Sequence, residues 1–378
     1  MTHHHDQRRH LAGEALAEHK VQALVVSSAA NIRYLSGFTG SNGLLLLLPE
    51  RAILFTDPRY GLQAAAETAE PPLCRFRAAT VRERSHSPVE VRTERGSLLL
   101  AAAKWIGSKR LRRIGYEKSN ISHQSFLALE DPLPASARLT PLANLVETLR
   151  MVKSPSELDL IRRSVQTNSE AFSQTLALVL PGVTEIDLAA ELEYRMRRLG
   201  AEKPAFDSIV AFGPRSAFPH ASPTRNTLAK NSLILMDVGA MRDGYASDMT
   251  RMAFLGRPSA RIRKLHKAVL EAQLAALAAV RDGVTAESID RTARRVLRAH
   301  GLDRAFIHAT GHGLGLEIHE MPRLGKGDKT PLRAGMAVTI EPGVYLQEFG
   351  GIRIEDTVVV TRNGCEVLTP TSKELLAL

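Results

Sequence analysis

Apolar positions in the first part of the chain come in short blocks that switch between two periods. Val21 to Ser28, Leu44 to Leu48 and Ala52 to Thr56 are compact runs that suit buried strands. Tyr60 to Thr68, the stretch near Ser97 to Ile106 and the segment from Ser122 have helical character, with a further strand at Arg113 to Glu117 between the last two. This alternation predicts a small α/β domain. Its end is marked at Lys153-Ser154-Pro155-Ser156-Glu157, where Ser154 can cap a helix, Pro155 fits its first position and Glu157 can reach back. A chain of 378 residues exceeds what one core usually supports. Two domains are expected, residues 1–150 and residues 151–378.

Within the second domain the pattern repeats. Gly182-Val183-Thr184 opens a helix that ends near Leu199-Gly200, and Gly283-Val284-Thr285 opens another that ends near His300-Gly301, both ends 101 positions on. The strands that follow repeat as well: Leu233 to Gly239 parallels Ala337 to Gly343, and each apolar run ends in a carboxylate shortly before glycine. Downstream of each lies a second strand with another acid, Asp248 in the first copy and Glu355 in the second. Two such α/β halves would pack about a pseudo-two-fold axis into one antiparallel sheet covered by helices, bringing Asp237, Asp248, Glu341 and Glu355 to the axis.

Composition narrows the classes. The chain is 44% hydrophobic and 24% charged, and the candidate span Leu44 to Leu48 is one strand long. Neither a membrane span nor a leading signal peptide is expected. The two cysteines, Cys74 and Cys365, lie far apart, which argues against a disulfide framework or a thiolate zinc site and fits a reducing, cytoplasmic setting. A net charge of +10 raises the question of nucleic acid, but basic residues are spread through helices such as Arg291 to Arg298, so a solvated basic face is expected instead. Met1 to His5 is read as a disordered start outside the site.

Four carboxylates gathered in an apolar sheet repel one another, and burying even one uncompensated ion costs several kcal/mol, on the order of the whole stability of a domain. Something positive must sit among them. Hard oxygen ligands with one imidazole suit two divalent ions such as manganese, cobalt or zinc. His312, in the glycine-flanked run Thr310 to Gly315, is the best source of that imidazole, because glycines let the backbone approach a crowded site.

The ordered motifs Met236 to Ala240, Gly244 to Arg251, His308 to Gly315 with His319-Glu320, Ile340 to Gly343 and Gly351 to Asp356 resemble those of the pita-bread metallopeptidases of the aminopeptidase P and prolidase type. Asn31 to Phe38 and Thr56 to Tyr60 extend the likeness into the first domain. The resemblance implies a pita-bread catalytic domain behind a small α/β domain that serves substrate access and oligomerisation, in a homodimer. It implies that Asp237, Asp248, His312, Glu341 and Glu355 are the metal ligands, with Asp248 and Glu355 bridging two ions. It gives Glu341 a proton-shuttle role and adds His220, His308 and His319 as catalytic residues. Ala309 departs from the glycine common in relatives. Arg353, two residues from Glu355 and so expected on the same face of one strand, is placed to orient a ligand carboxylate. Asp207 and Asp243 read as turn or loop residues outside the site.

The expected activity is removal of the N-terminal residue from peptides with proline second. The glycine-rich run Phe38 to Ser41 favours an aminopeptidase P over a strict dipeptidase, since no basic group lies in Ser36 to Gly43, although Arg33 and Arg59 flank the region. A prolidase is the alternative. A non-catalytic peptide-binding module on the same fold is more remote, because all five ligand positions are intact. No nucleic-acid or membrane partner is expected.

Overall fold

The computed structural model describes residues 2–69 and 89–378, so Cys74 lies outside the described residues. It divides into two units, Met1–Arg150 and Met151–Leu378.

The first unit opens with helix α1 (Thr2–Glu18), followed by strand β1 (Ala23–Val26), helix α2 (Ala29–Ser36), β2 (Gly43–Leu47), β3 (Ala52–Thr56) and α3 (Gly61–Thr68). Beyond residue 88 come β4 (Val89–Thr93), α4 (Leu98–Ser108), β5 (Arg113–Glu117), α5 (His123–Glu130), β6 (Arg138–Leu142) and α6 (Leu145–Met151). The six strands form one sheet in the order β4-β3-β2-β1-β5-β6, antiparallel at β1–β2 and β2–β3 and parallel elsewhere. Ser28, Ser97 and Ser122 cap α2, α4 and α5 by accepting from the backbone three residues on. Val25, Leu46, Phe55, Ala102, Trp105 and Ile106 fill the core between sheet and helices. The start of the chain corrects one expectation. It is helical instead of disordered, because α1 buries Ala12 and Leu16, and His5 Nδ1 lies 2.9 Å from the Tyr34 carbonyl.

The second unit contains the internal repeat. Its first half runs α7 (Pro155–Thr175), α8 (Glu185–Arg198), β7 (Lys203–Pro204), β8 (Ile209–Phe212), β9 (Ser232–Val238), β10 (Ala240–Arg242), β11 (Tyr245–Ala246) and β12 (Met249–Leu255). The second half runs α9 (Ala260–Ala279), α10 (Ala286–Ala299), β13 (Gly311–Gly313), β14 (Glu320–Leu324), β15 (Ala337–Ile340), β16 (Gly343–Leu346), β17 (Gly350–Arg353) and β18 (Asp356–Val360), and the chain closes with β19 (Cys365–Val367) and β20 (Leu376–Ala377). Ser154 and Glu157 form the expected reciprocal cap on α7, with Pro155 at its first position.

The expectation of one antiparallel sheet is corrected. Each half builds its own three-stranded core, β8-β9-β12 and β13-β15-β18, and the hairpin β16–β17 forms a separate ribbon. Pro342, without an amide hydrogen, follows β15 where the chain leaves the ladder. β20 also pairs in parallel with β12. The half-sheets meet where Glu355 N donates to Thr250 O (3.3 Å) and Thr357 Oγ1 donates to Asp248 O (2.9 Å). A core of Leu235, Met252, Val269, Ile289, Val338 and Val358 spans both halves.

Candidate metal centre and active site

The four acids sit at strand ends near the junction of the half-sheets. Asp237 is the next-to-last residue of β9, Asp248 immediately precedes β12, Glu341 immediately follows β15 and Glu355 immediately precedes β18. His312 is the middle residue of the short strand β13, where a Cβ at Gly311 would come within 1.9 Å of the Thr339 carbonyl oxygen. Only glycine permits that approach, which brings the His312 ring to the acids.

All five converge. One side-chain ligand atom each from Asp248, His312 and Glu355 lie within 4.8 Å of one another. His312 Nε2 is 3.6 Å from Asp248 Oδ2 and 3.5 Å from Glu341 Oε1. Asp237 joins through Arg353, whose Nη2 donates to Asp237 Oδ2. Arg353 also gives Nε to Thr250 Oγ1 (3.0 Å) and Nη1 to Tyr345 Oη (2.6 Å). Its placement corrects one part of the sequence reading: Arg353 ends β17 and Glu355 lies between β17 and β18, so the two do not share a strand, while the guanidinium meets a carboxylate of the set, that of Asp237 on β9.

The electrostatics are those of a crowded anionic pit. Burial, reinforced by the neighbouring acids, raises the Asp248 and Glu355 carboxyls well above the usual carboxylate range. Burial likewise pushes Glu341 up to about 8, with Arg353 opposing the shift. Burial holds His312 down at about 4, so the ring is neutral at pH 7. With Nδ1 against the Gly313 carbonyl at 2.9 Å, Nε2 turns its lone pair on two carboxylates. Asp237 Oδ1, Asp248 Oδ1 and Glu355 Oε1 are buried without a hydrogen-bond partner. Orphaned carboxylate oxygens together with a neutral imidazole, three of these residues offering ligand atoms within 4.8 Å of one another, are the donor set of a divalent cation, so the residues present fit one.

Of the other histidines, His308 is tied in by both nitrogens: Nδ1 to the Ala309 carbonyl at 2.8 Å and Nε2 to Tyr345 Oη at 2.8 Å. Burial lowers it to about 4. A chain of hydrogen bonds thus runs from Arg353 through the Tyr345 hydroxyl to His308 Nε2. His319 is exposed, with its ring edge-on to His312 at 4.4 Å between centroids. His220 is exposed on the loop between β8 and β9, near enough to interact electrostatically with both His308 and His319.

Sequence reasoning missed three contributors. Thr250 Oγ1 donates to Glu355 Oε2 at 2.8 Å, and Thr339 Oγ1 accepts from His312 N at 3.1 Å while lying 3.4 Å from Glu341 Oε1. Both stand two positions from a site acid, Asp248 and Glu341, each acid lying just outside the strand that carries the threonine. Tyr345 gave no such signal, since a strand tyrosine ordinarily reads as core.

A matching fold and site have a family. The model of metallopeptidase family M24 matches residues 159–362, and that of the creatinase/prolidase N-terminal domain matches residues 8–152. The chain belongs to metallopeptidase family M24. It is 33% identical over 360 residues to an Xaa-Pro dipeptidase of Pyrococcus furiosus, covering 95% of this chain and 96% of that one. Among solved structures it is similar to an Xaa-Pro dipeptidase from Bacillus anthracis, with TM-score 0.91, 34% identity and coverage of 99% and 100% of the two chains. It is also similar to an X-Pro aminopeptidase from Thermotoga maritima, with TM-score 0.86, 33% identity and coverage of 97% and 98%. The fold is therefore the α/β, pita-bread architecture that the motifs implied, and the chain is a metallopeptidase whose family implies divalent metal ions. No helix among the described residues is long and apolar enough to cross a membrane.

Proposed function

We propose that this chain is an Xaa-Pro dipeptidase that acts through divalent ions held by Asp237, Asp248, His312, Glu341 and Glu355. The gathering of ligand atoms from Asp248, His312 and Glu355 within 4.8 Å of one another, with buried carboxylate oxygens of Asp237, Asp248 and Glu355 left without a hydrogen-bond partner, carries the metal-dependent part of this reading. The substrate class rests on the relatives named as Xaa-Pro dipeptidases, which shifts the preference from the aminopeptidase expected on the glycine-rich Phe38 to Ser41 run. The aminopeptidase remains the second reading, favoured by the Thermotoga maritima likeness at comparable identity.

When bound, the ions would supply a nucleophile at neutral pH and polarise the scissile carbonyl. The chain's own groups would do the rest. Glu341 would hold the proton released by the nucleophile and pass it to the proline nitrogen, which must be protonated to leave. His220 and His319, exposed at the mouth, would hydrogen-bond the substrate and the charge that develops on its carbonyl oxygen. Burial keeps His308 neutral and the Tyr345 hydroxyl, held by Arg353, meets its Nε2, so it would act by orientation rather than by charge. We carry the homodimer forward as the proposed assembly.

The test is a matched panel of Xaa-Pro, Xaa-Pro-Yaa and Xaa-Ala-Yaa with the metal-loaded protein. A dipeptidase gains a charge-assisted pair with the proline carboxylate, about 1.5–3 kcal/mol or roughly ten- to a hundredfold in kcat/KM over the tripeptide. A tripeptide cleaved at least as well as the dipeptide would establish the aminopeptidase instead.

A further inference from the structure

The loop that carries His220 is built on one buried carboxylate, that of Glu185. Residues 213–227 leave β8 and return towards β9, and Glu185, the first residue of α8, lies under their base with its side chain fully buried. Glu185 Oε1 accepts from Phe212 N (2.9 Å), Arg215 Nε (3.1 Å) and Asn226 Nδ2 (3.2 Å). Its Oε2 accepts from Arg215 Nε (3.1 Å), Thr224 N (2.9 Å) and Thr224 Oγ1 (2.7 Å). The outgoing and returning limbs are thus held by the same group. Arg215 extends the clamp, because its Nη2 donates to Ser222 O at 2.8 Å, two residues beyond His220.

The internal repeat shows that the fold itself does not require this. Ala286 stands 101 positions after Glu185, at the matching place in α10. The backbone straps are the same in both halves. Gly182 N to Leu228 O (2.9 Å) matches Gly283 N to Leu332 O (2.8 Å), and Glu185 N to Asn226 O (3.1 Å) matches Ala286 N to Thr330 O (3.0 Å). The second half closes its loop with a methyl group where the first buries an ion. Such an ion is expensive unless fully bonded, and here burial pushes the carboxyl up while the donors outweigh it and keep it ionised. What the first loop has in addition is His220, and Arg353 Nη1 meets the same loop at Pro219 O (3.2 Å), one residue before it.

We infer that Glu185, acting with Arg215, is a positioning residue that fixes the His220 loop for the peptidase reaction. The inference rests on the proposed role of His220 at the substrate. A misplacement of about 1 Å in such a group can cost up to a hundredfold in rate, so removing the clamp should lower kcat between about ten- and a hundredfold and leave KM within about twofold.

The experiment compares Glu185→Gln, His220→Ala and the double variant as metal-loaded enzymes on an Xaa-Pro dipeptide, with metal content measured throughout. The expected result is that both single variants slow turnover with metals retained, and that the double variant is no slower than His220→Ala alone. Multiplying losses, or a Glu185→Gln kcat equal to wild type, would overturn the inference while leaving the His220 reading intact. If His220→Ala costs nothing, both fall together. Should Glu185→Gln fail to fold, Arg215→Lys, at a side chain 31% exposed, tests the same clamp, because lysine cannot bridge Glu185 and Ser222. Independently of turnover, the His220 ring signals in the NMR spectrum of the metal-free protein should shift or broaden in Glu185→Gln while those of His300 do not. Unchanged His220 signals would also overturn the inference.

Discussion

At the residue scale the site is a set of acids whose neighbours decide what each can do. Glu355 divides its two oxygens between tasks: Oε2 accepts from Thr250 and Oε1 is left for a ligand. Replacing Thr250 by Val keeps the shape and removes that donor, as well as the hydroxyl that Arg353 Nε meets. Loss of such an outer partner typically costs about 10–100-fold in metal affinity or activity, and we expect that loss in a metal titration of Thr250→Val. Unchanged affinity would remove Thr250 from the site. Four of the five proposed ligands were legible because the duplicated pattern puts an acid at or beside the end of an apolar strand, and His312 because of its glycine-flanked run. Thr250 and Thr339 were legible in principle from two-residue spacing. Tyr345 was not: its hydroxyl becomes part of the site only because hairpin β16–β17 folds Arg353 across to it, a tertiary fact no local pattern contains.

At the scale of elements, the sequence located strands and caps well and sheet connectivity poorly. Ala52–Thr56 and Arg113–Glu117 are strands over the residues expected, and Ser154 caps α7 as read. The single sheet failed because hydrogen-bond pairing is non-local, and apolar runs alone do not say that Pro342 and Gly343 turn the chain out of one ladder into another. Strand β13 shows how tightly an element is tied to the site. Adding a methyl at Gly311 would drive it into the Thr339 carbonyl and force β13 away from β15. Overpacking of this kind costs typically 1–3 kcal/mol, or roughly 2–4 °C in Tm per kcal/mol for a unit of this size. Calorimetry of Gly311→Ala should show that fall together with weaker metal loading. A variant with wild-type Tm and loading would mean that β13 can move without cost.

At the scale of the whole molecule, two α/β halves converge on a charge problem that neither could sustain alone, and pH exposes it. Asp248, Glu341 and Glu355 have carboxyl pKa values raised in the folded state, Glu341 from 4.5 to about 8. A raised acid contributes stability that is present below its unfolded value and lost as pH rises through the folded one. His308 and His312, lowered from 6.5 to about 4, act in the opposite sense only below pH 6.5. Between pH 6.5 and 8 the carboxyls therefore act alone, and the chelated protein should lose up to about 1.4 kcal/mol per pH unit for each proton involved. Metal binding should reverse the trend, because cations replace those protons and bind more tightly as pH rises. A chelated protein whose Tm is flat over that range would mean that the acids are not coupled in the folded state. The most direct test of the account is hydrolysis of an Xaa-Pro dipeptide before and after exhaustive chelation. The account predicts no activity in the chelated protein and recovery on adding manganese, cobalt or zinc; full activity without metal would contradict it.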